Sequence, residues 1–127
     1  MRLKQRGFTL IEVLVALALL ALVSAGIVPS FLRFVRYNTQ MEVKSGALQA
    51  AQLVLDNLRF SNPADLPSEG SSPEEVVNIN GRNYKVTVSY CTVAAYCSSD
   101  NTRHLKAMVY LGSKKLYEVE TVYTRLR

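Results

Sequence analysis

Glu12 is the residue whose chemistry most needs explaining. It is the only charge between Phe8 and Val28, a run of 21 positions otherwise supplied almost wholly by Leu, Ile, Val, Ala and Phe. A carboxylate inside a membrane helix costs about 2.5–3.5 kcal/mol on insertion scales, so it marks either a functional position or one near the membrane surface, where the cost falls. Taken alone, Glu12 leaves both open. Gly7 and Phe8 stand just upstream, after a short segment carrying Arg2, Lys4 and Arg6.

Other chemistry finds few residues to work with. The chain has one histidine, His104, and lacks G-x-S-x-G, H-E-x-x-H and any phosphate-binding glycine loop. Serine-hydrolase, metalloprotease and nucleotide chemistry therefore lack their sequence signatures, and no enzyme activity or cofactor is expected. The adjacent carboxylates Glu74 and Glu75 fit a solvated strand entrance better than an acid–base pair. Cys91 and Cys97 are the only cysteines and bracket a polar-aromatic turn. They suit one short disulfide in an oxidising compartment, or a pair of free thiols. With one histidine and no C-x-x-C they form no zinc set, and no metal site is expected.

The formal charge is +5, but Arg2, Lys4 and Arg6 supply three of those charges, and without them the side-chain balance is +2. That describes a mildly basic surface more than a nucleic-acid groove. Tyr84, Tyr90, Tyr110, Tyr117 and Tyr123 fall on predicted strands, where aromatic residues are core or cross-strand partners. Tyr96 differs, lying inside the Cys91–Cys97 loop; with Arg103, His104, Lys114 and Lys115 it forms a candidate DNA-contacting patch. His104, between Arg103 and Leu105, reads as a surface residue at the start of a strand.

The elements that must carry these residues follow from periodicity. The apolar run is close to the roughly 20 residues that cross a bilayer as a helix. Leu48, Ala51, Leu55 and Leu58, with Ala47 and Val54, recur at three- and four-residue steps and predict an amphipathic helix with one buried stripe. One helix from about Phe8 to about Phe60 results, roughly 80 Å long at 1.5 Å per residue if continuous. Pro29 interrupts it, and a kink is expected there. The breakers between Ser61 and Pro73 end the helix in a surface loop.

Strand patterns come next. Val76–Ile79 meets Asn80-Gly81, a favoured hairpin dipeptide, and Tyr84–Tyr90 then alternates. A third strand over Leu105–Leu111 turns at Gly112-Ser113-Lys114 into a fourth, with Tyr117, Val119 and Tyr123 on one face and Glu118 and Glu120 on the other. The expected fold class is α+β: a long amino-terminal helix packed on an antiparallel sheet of about four strands.

Residues Arg6-Gly7-Phe8-Thr9-Leu10-Ile11-Glu12-Val13-Leu14-Val15-Ala16-Leu17 resemble the class III signal of type IV pilins and of the pseudopilins of type II secretion. A short basic leader ends in Gly, Phe follows, and Glu is the fifth residue from Phe within an apolar run. Pro29 also sits where many pilins bend their helix, and a disulfide loop over an antiparallel sheet is common among them. The detailed match covers about the first thirty residues.

The resemblance implies a leader over residues 1–7, a transmembrane and filament-core helix over 8–34, and a globular domain over 35–127. It implies a prepilin peptidase that cuts between Gly7 and Phe8 and methylates the new amine of Phe8; glycine before the cut gives the close backbone access a peptidase needs. The partners implied are that peptidase, an inner-membrane assembly platform and other pilin subunits. The precursor would cross the inner membrane once before entering a periplasmic or extracellular filament. Glu12 then gains a natural partner in the amine at Phe8, of the same chain or a neighbour, and matching the two charges sets subunit register. The short chain and Glu-Val-Leu-Val-Ala-Leu-Ala resemble minor pilins and minor pseudopilins. Such components prime, cap or modify filaments of motility, adhesion, DNA uptake or secretion. A rival from another class is a secreted or membrane-anchored binding module, cut after Val23-Ser24-Ala25, that never polymerises.

Overall fold

The computed structural model describes residues 7–125. Helix α1 spans Leu10–Arg59; β1 (Glu75–Ile79), β2 (Arg82–Tyr90), β3 (Thr102–Leu111) and β4 (Lys114–Thr124) follow, with short 3-10 turns at Pro63–Asp65 and Ala94–Cys97. The strands pair antiparallel in the order β1-β2-β3-β4. The architecture is the α+β arrangement that the periodicities predict. It divides into two compact units, Met1–Gln40 and Met41–Arg127, and α1 contributes to both.

The described part of the first unit is helix and its lead-in. Every described residue from Gly7 to Glu42 is exposed, including large apolar side chains such as Leu14, Leu20, Ile27 and Phe31. The helix is long and apolar enough to cross a bilayer. It runs through Pro29 as one helix, although proline has no N–H for the carbonyl four residues back. One turn of hydroxyl support follows directly: Ser30 Oγ donates to the Gly26 carbonyl at 3.0 Å.

In the second unit the buried face of α1 is Gly46, Ala47, Ala50, Ala51, Val54 and Leu55. It packs on Val77, Tyr84, Val86, Val88, Tyr90, Leu105, Ala107 and Val109 of the sheet. Small residues on the helix let sheet side chains approach its backbone. Gly46 is the extreme case, since a Cβ there would lie 2.4 Å from Tyr84 Oη. The predicted stripe needs one correction. Leu48 is 38% exposed, because it sits about 100° around the helix from Ala47, at the margin of the helix–sheet contact beside Leu116 and Tyr117 of β4.

Asn80 and Gly81 both have positive φ, 51° and 78°, as a two-residue type I′ hairpin requires. β3 starts at Thr102, three residues before its predicted start at Leu105, because Thr102 pairs with Thr124 at the end of the longer β4. A bulge between Val109 and Tyr110 leaves Leu116 without a cross-strand partner. The breaker-rich loop is tied down more than its composition suggests. Pro63 and Leu66 are buried, and Gly70–Ser72 bonds to β2 through Ser72 N to Val88 O (2.7 Å) and Tyr90 N to Gly70 O (2.8 Å).

On the sheet face turned away from the helix, charges alternate across β3 and β4. Glu118 accepts from Lys106 Nζ at 2.7 Å and Lys115 Nζ at 2.6 Å, and Lys106 also reaches Glu120 at 3.3 Å. The hydrogen bonds from Lys106, then from Lys115, pull the Glu118 carboxyl down to about 2. Donating to Glu118, then to Glu120, raises Lys106 above its ordinary value.

Candidate functional site

The amino-terminal site is built by one cap. Thr9 Oγ1 accepts from the Glu12 N–H at 3.3 Å, while the Thr9 carbonyl accepts from Glu12 N at 3.1 Å and Val13 N at 3.2 Å. Thr9 is therefore the residue from which α1 starts, and Thr-x-x-Glu is the spacing of a capping box. The apolar pattern does not mark Thr9, although its spacing to Glu12 does. The cap has two consequences. It leaves Gly7 and Phe8 outside the helix and exposed, and it puts the Glu12 carboxylate in the first turn, at the positive end of the helix dipole.

Gly7 is informative for what surrounds it. A Cβ added there would meet nothing within 4 Å among the described residues. Nothing in the described chain requires glycine at that position, in contrast to Gly46. The Glu12 carboxylate has neither a hydrogen bond nor an ion pair among the described residues, and Phe8 is 81% exposed. What the arrangement offers is an accessible, non-helical peptide bond followed by a capped apolar helix whose first turn holds one anion with no partner among the described residues. The basic residues Arg2, Lys4 and Arg6 lie outside the described residues.

The model of the prokaryotic N-terminal methylation motif matches residues 2–28. The chain carries the class III signal of type IV pilins. No curated protein and no solved structure matches it. The match covers the amino-terminal part of the chain; it supports a type IV pilin- or pseudopilin-like protein and points to a structural subunit. It implies processing by prepilin peptidase and assembly with other pilins. Motif and apolar helix together fit a membrane-anchored pilin precursor.

The remaining predicted site residues do not gather in one place. Cys91 and Cys97 are joined in a disulfide. Their loop folds over the outer face of the sheet and covers His104, which is only 2% exposed. The expectation of a surface histidine is thus wrong. Its Nδ1 lies 3.1 Å from Thr92 Oγ1 and its Nε2 3.5 Å from Glu120 Oε2, while the Tyr96 ring stacks on it with centroids 6.0 Å apart. The backbone completes the enclosure, with His104 N donating to Cys97 Sγ at 3.2 Å and Cys91 N to His104 O at 2.8 Å.

Arg103 also departs from the surface patch expected of it. It is 6% exposed, and its guanidinium donates to the carbonyls of Leu66 (3.4 Å), Ser99 (2.9 Å) and Thr102 (3.0 Å). It pins two loops together and is not available to a phosphate. Tyr96, Lys114 and Lys115 are exposed. However, Lys114 pairs with Leu111 at the far end of β3 from His104, on which Tyr96 stacks. Seven residues of strand separate these points, about 23 Å at about 3.3 Å per residue. The five residues named for DNA do not make one patch.

Proposed function

We propose that this chain is a structural subunit of a type IV pilus-like filament, a minor component that primes, caps or modifies it. Prepilin peptidase cuts between Gly7 and Phe8 and methylates the amine of Phe8. The observation that carries this reading is the exposed, non-helical Gly7–Phe8 bond immediately before a capped apolar helix. A glycine that nothing in the described chain demands is consistent with a demand from outside, namely a peptidase cleft that admits no side chain.

Cutting changes the electrostatics as well as the length. A new cation appears at Phe8, four residues before Glu12 and at the positive end of the helix dipole, where it is unfavourable on its own. Pairing with a Glu12 carboxylate removes both problems. In an apolar filament core a subunit with both charges matched is favoured over one displaced along the axis. Leu10, Leu14, Leu17 and the apolar residues after them exchange lipid for other helices on entering that core.

The experiment is amino-terminal mass analysis of the mature protein, followed by Glu12→Ala. Methylated Phe8 is expected; a chain beginning at Gly26 would replace this reading with the secreted-module alternative. Glu12→Ala should be processed normally but lose incorporation by more than a hundredfold, as when one partner of a buried pair worth about 3–5 kcal/mol is removed. Normal incorporation would refute the charge-pair mechanism. Low abundance in sheared filaments is expected of a minor component, and an abundance matching the main subunit would overturn that part.

A further inference from the structure

We propose that the Cys91–Cys97 loop inserts Tyr96 into an apolar groove on a second copy of this chain, forming a head-to-tail contact between subunits. This rests on the filament reading above and adds a specific surface to it. The donor side is a preformed knob. Val93, Ala94, Ala95 and Tyr96 are all exposed, and Tyr96 keeps 53% of its surface free although one ring face rests on His104. The disulfide and the enclosure of His104 fix the loop before any partner arrives, so little conformational entropy remains to be lost on docking. An exposed tyrosine on a rigid loop has the character of an interface anchor.

The acceptor side lies at the start of the second unit. Met41, Leu48, Leu116 and Tyr117, with Lys44 and Ser45, line a groove of about 450 Å³. It explains two departures from the expected packing, since Leu48 faces it instead of the core and the β4 bulge turns Leu116 toward it. The groove is within the size range of apolar sites that hold an aromatic group.

Charge and position select the occupant. Asp100, 95% exposed at its side chain and 3.8 Å from the Arg103 guanidinium, follows the knob, while Lys44 lines the groove and Lys114 stands two residues before Leu116; Lys115 is engaged by Glu118 on the other face. The knob therefore brings an anion to a cationic rim, which favours a copy of this chain. Knob and groove are also separate patches. His104 and Val109, the partner of Tyr117, are five residues apart on β3, about 17 Å at about 3.3 Å per residue. The knob covers one sheet face, and the groove adjoins the helix on the other. One copy can use both patches at once, and such a heterologous contact does not close on itself, so it can join the few copies that a priming or capping complex needs.

The test places the photoreactive residue p-benzoylphenylalanine at Ser45 of the full-length chain. The chain is reconstituted in phosphatidylethanolamine/phosphatidylglycerol vesicles as a mixture of ¹⁴N- and ¹⁵N-labelled copies. Mixed-isotope cross-links from position 45 to residues 92–96 are expected. Tyr96→Ala should lower their yield on the order of tenfold, and Tyr96→Phe should retain it, because the ring is what fills the groove. Intact-mass analysis of the disulfide in both variants keeps a loosened loop from being mistaken for a lost contact. Cross-links only within one copy, only to lipid, to another part of the second copy, or of equal yield with Tyr96→Ala would each overturn the proposal. The amino-terminal analysis stands apart. Methylated Phe8 and normal incorporation without this cross-link would remove the contact alone, whereas failed processing would remove the filament reading.

Discussion

Gly46→Ala tests whether the helix and sheet of the second unit are held at the distance the structure shows. The added Cβ would lie 2.4 Å from Tyr84 Oη, 2.8 Å from Cζ and 3.1 Å from Cε2. Tyr84 has nowhere to retreat, being 1% exposed, and its hydroxyl donates to the Val43 carbonyl at 3.2 Å. On helix propensity alone the substitution should help, by about 1 kcal/mol. Against this stand overpacking, about 1–3 kcal/mol, and the strained or lost Tyr84–Val43 hydrogen bond, about 0.5–1.5 kcal/mol. The net expectation is a destabilisation of about 1–3 kcal/mol, or a fall in Tm on the order of 10 °C for a unit of this size. Thermal unfolding of the full chain in detergent, followed by near-ultraviolet circular dichroism, measures it. Adding Tyr84→Phe removes the nearest clashing atom but leaves Cζ, so the double variant should recover part of the loss. A Gly46→Ala chain as stable as the parent, or more stable, would refute the reasoning.

Stability should fall with acid in a particular window. The Glu118 carboxyl is lowered from 4.5 to about 2 in the folded chain, so its contribution is complete above about 4.5 and is lost as pH drops through 4.5 toward 2. Urea titrations at a series of pH values should show this loss, and Glu118→Gln should abolish that part of the slope. Reducing the Cys91–Cys97 disulfide should cost about 2 kcal/mol for so short a loop on the chain-entropy model. It should also open His104 to solvent, seen as faster hydrogen exchange at its amide; unchanged protection after reduction would show that the loop holds without its cross-link.

How much was legible in the sequence depended on how local each signal is. The β1–β2 hairpin could be placed because Asn80-Gly81 accepts positive φ at both positions and Tyr84–Tyr90 alternates beside it. The face of α1 was only partly legible. Periodicity marks several apolar residues, but which of them meet the sheet depends on where Tyr84 sits, and it is Gly46, not Leu48, that lies beneath it. Arg103 and His104 were not legible at all. Their types suggest surface, and their burial comes from loops closed over them by Leu66, Ser99 and the Cys91–Cys97 disulfide.

The amino-terminal site was legible for the opposite reason, and that difference bears on function. A peptidase that acts on a precursor reads a short linear segment, so the information it needs must lie in neighbouring residues and cannot await folding of the sheet. Gly7, Phe8, Thr9 and Glu12 meet that condition. The cap from Thr9 requires only Glu12 and Val13, and the Gly7–Phe8 bond stays outside the helix without any tertiary contact. The same logic assigns the contrasting features elsewhere. Tyr96 depends on a disulfide and a buried histidine for its presentation, and the groove at Leu48 depends on a bulge in β4. Neither can be presented until the second unit has folded. Processing can therefore precede folding of that unit, whereas a contact through Tyr96 is available only to folded subunits. On the proposals above, recognition by the peptidase and recognition by another subunit are thus separated by the folding step between them.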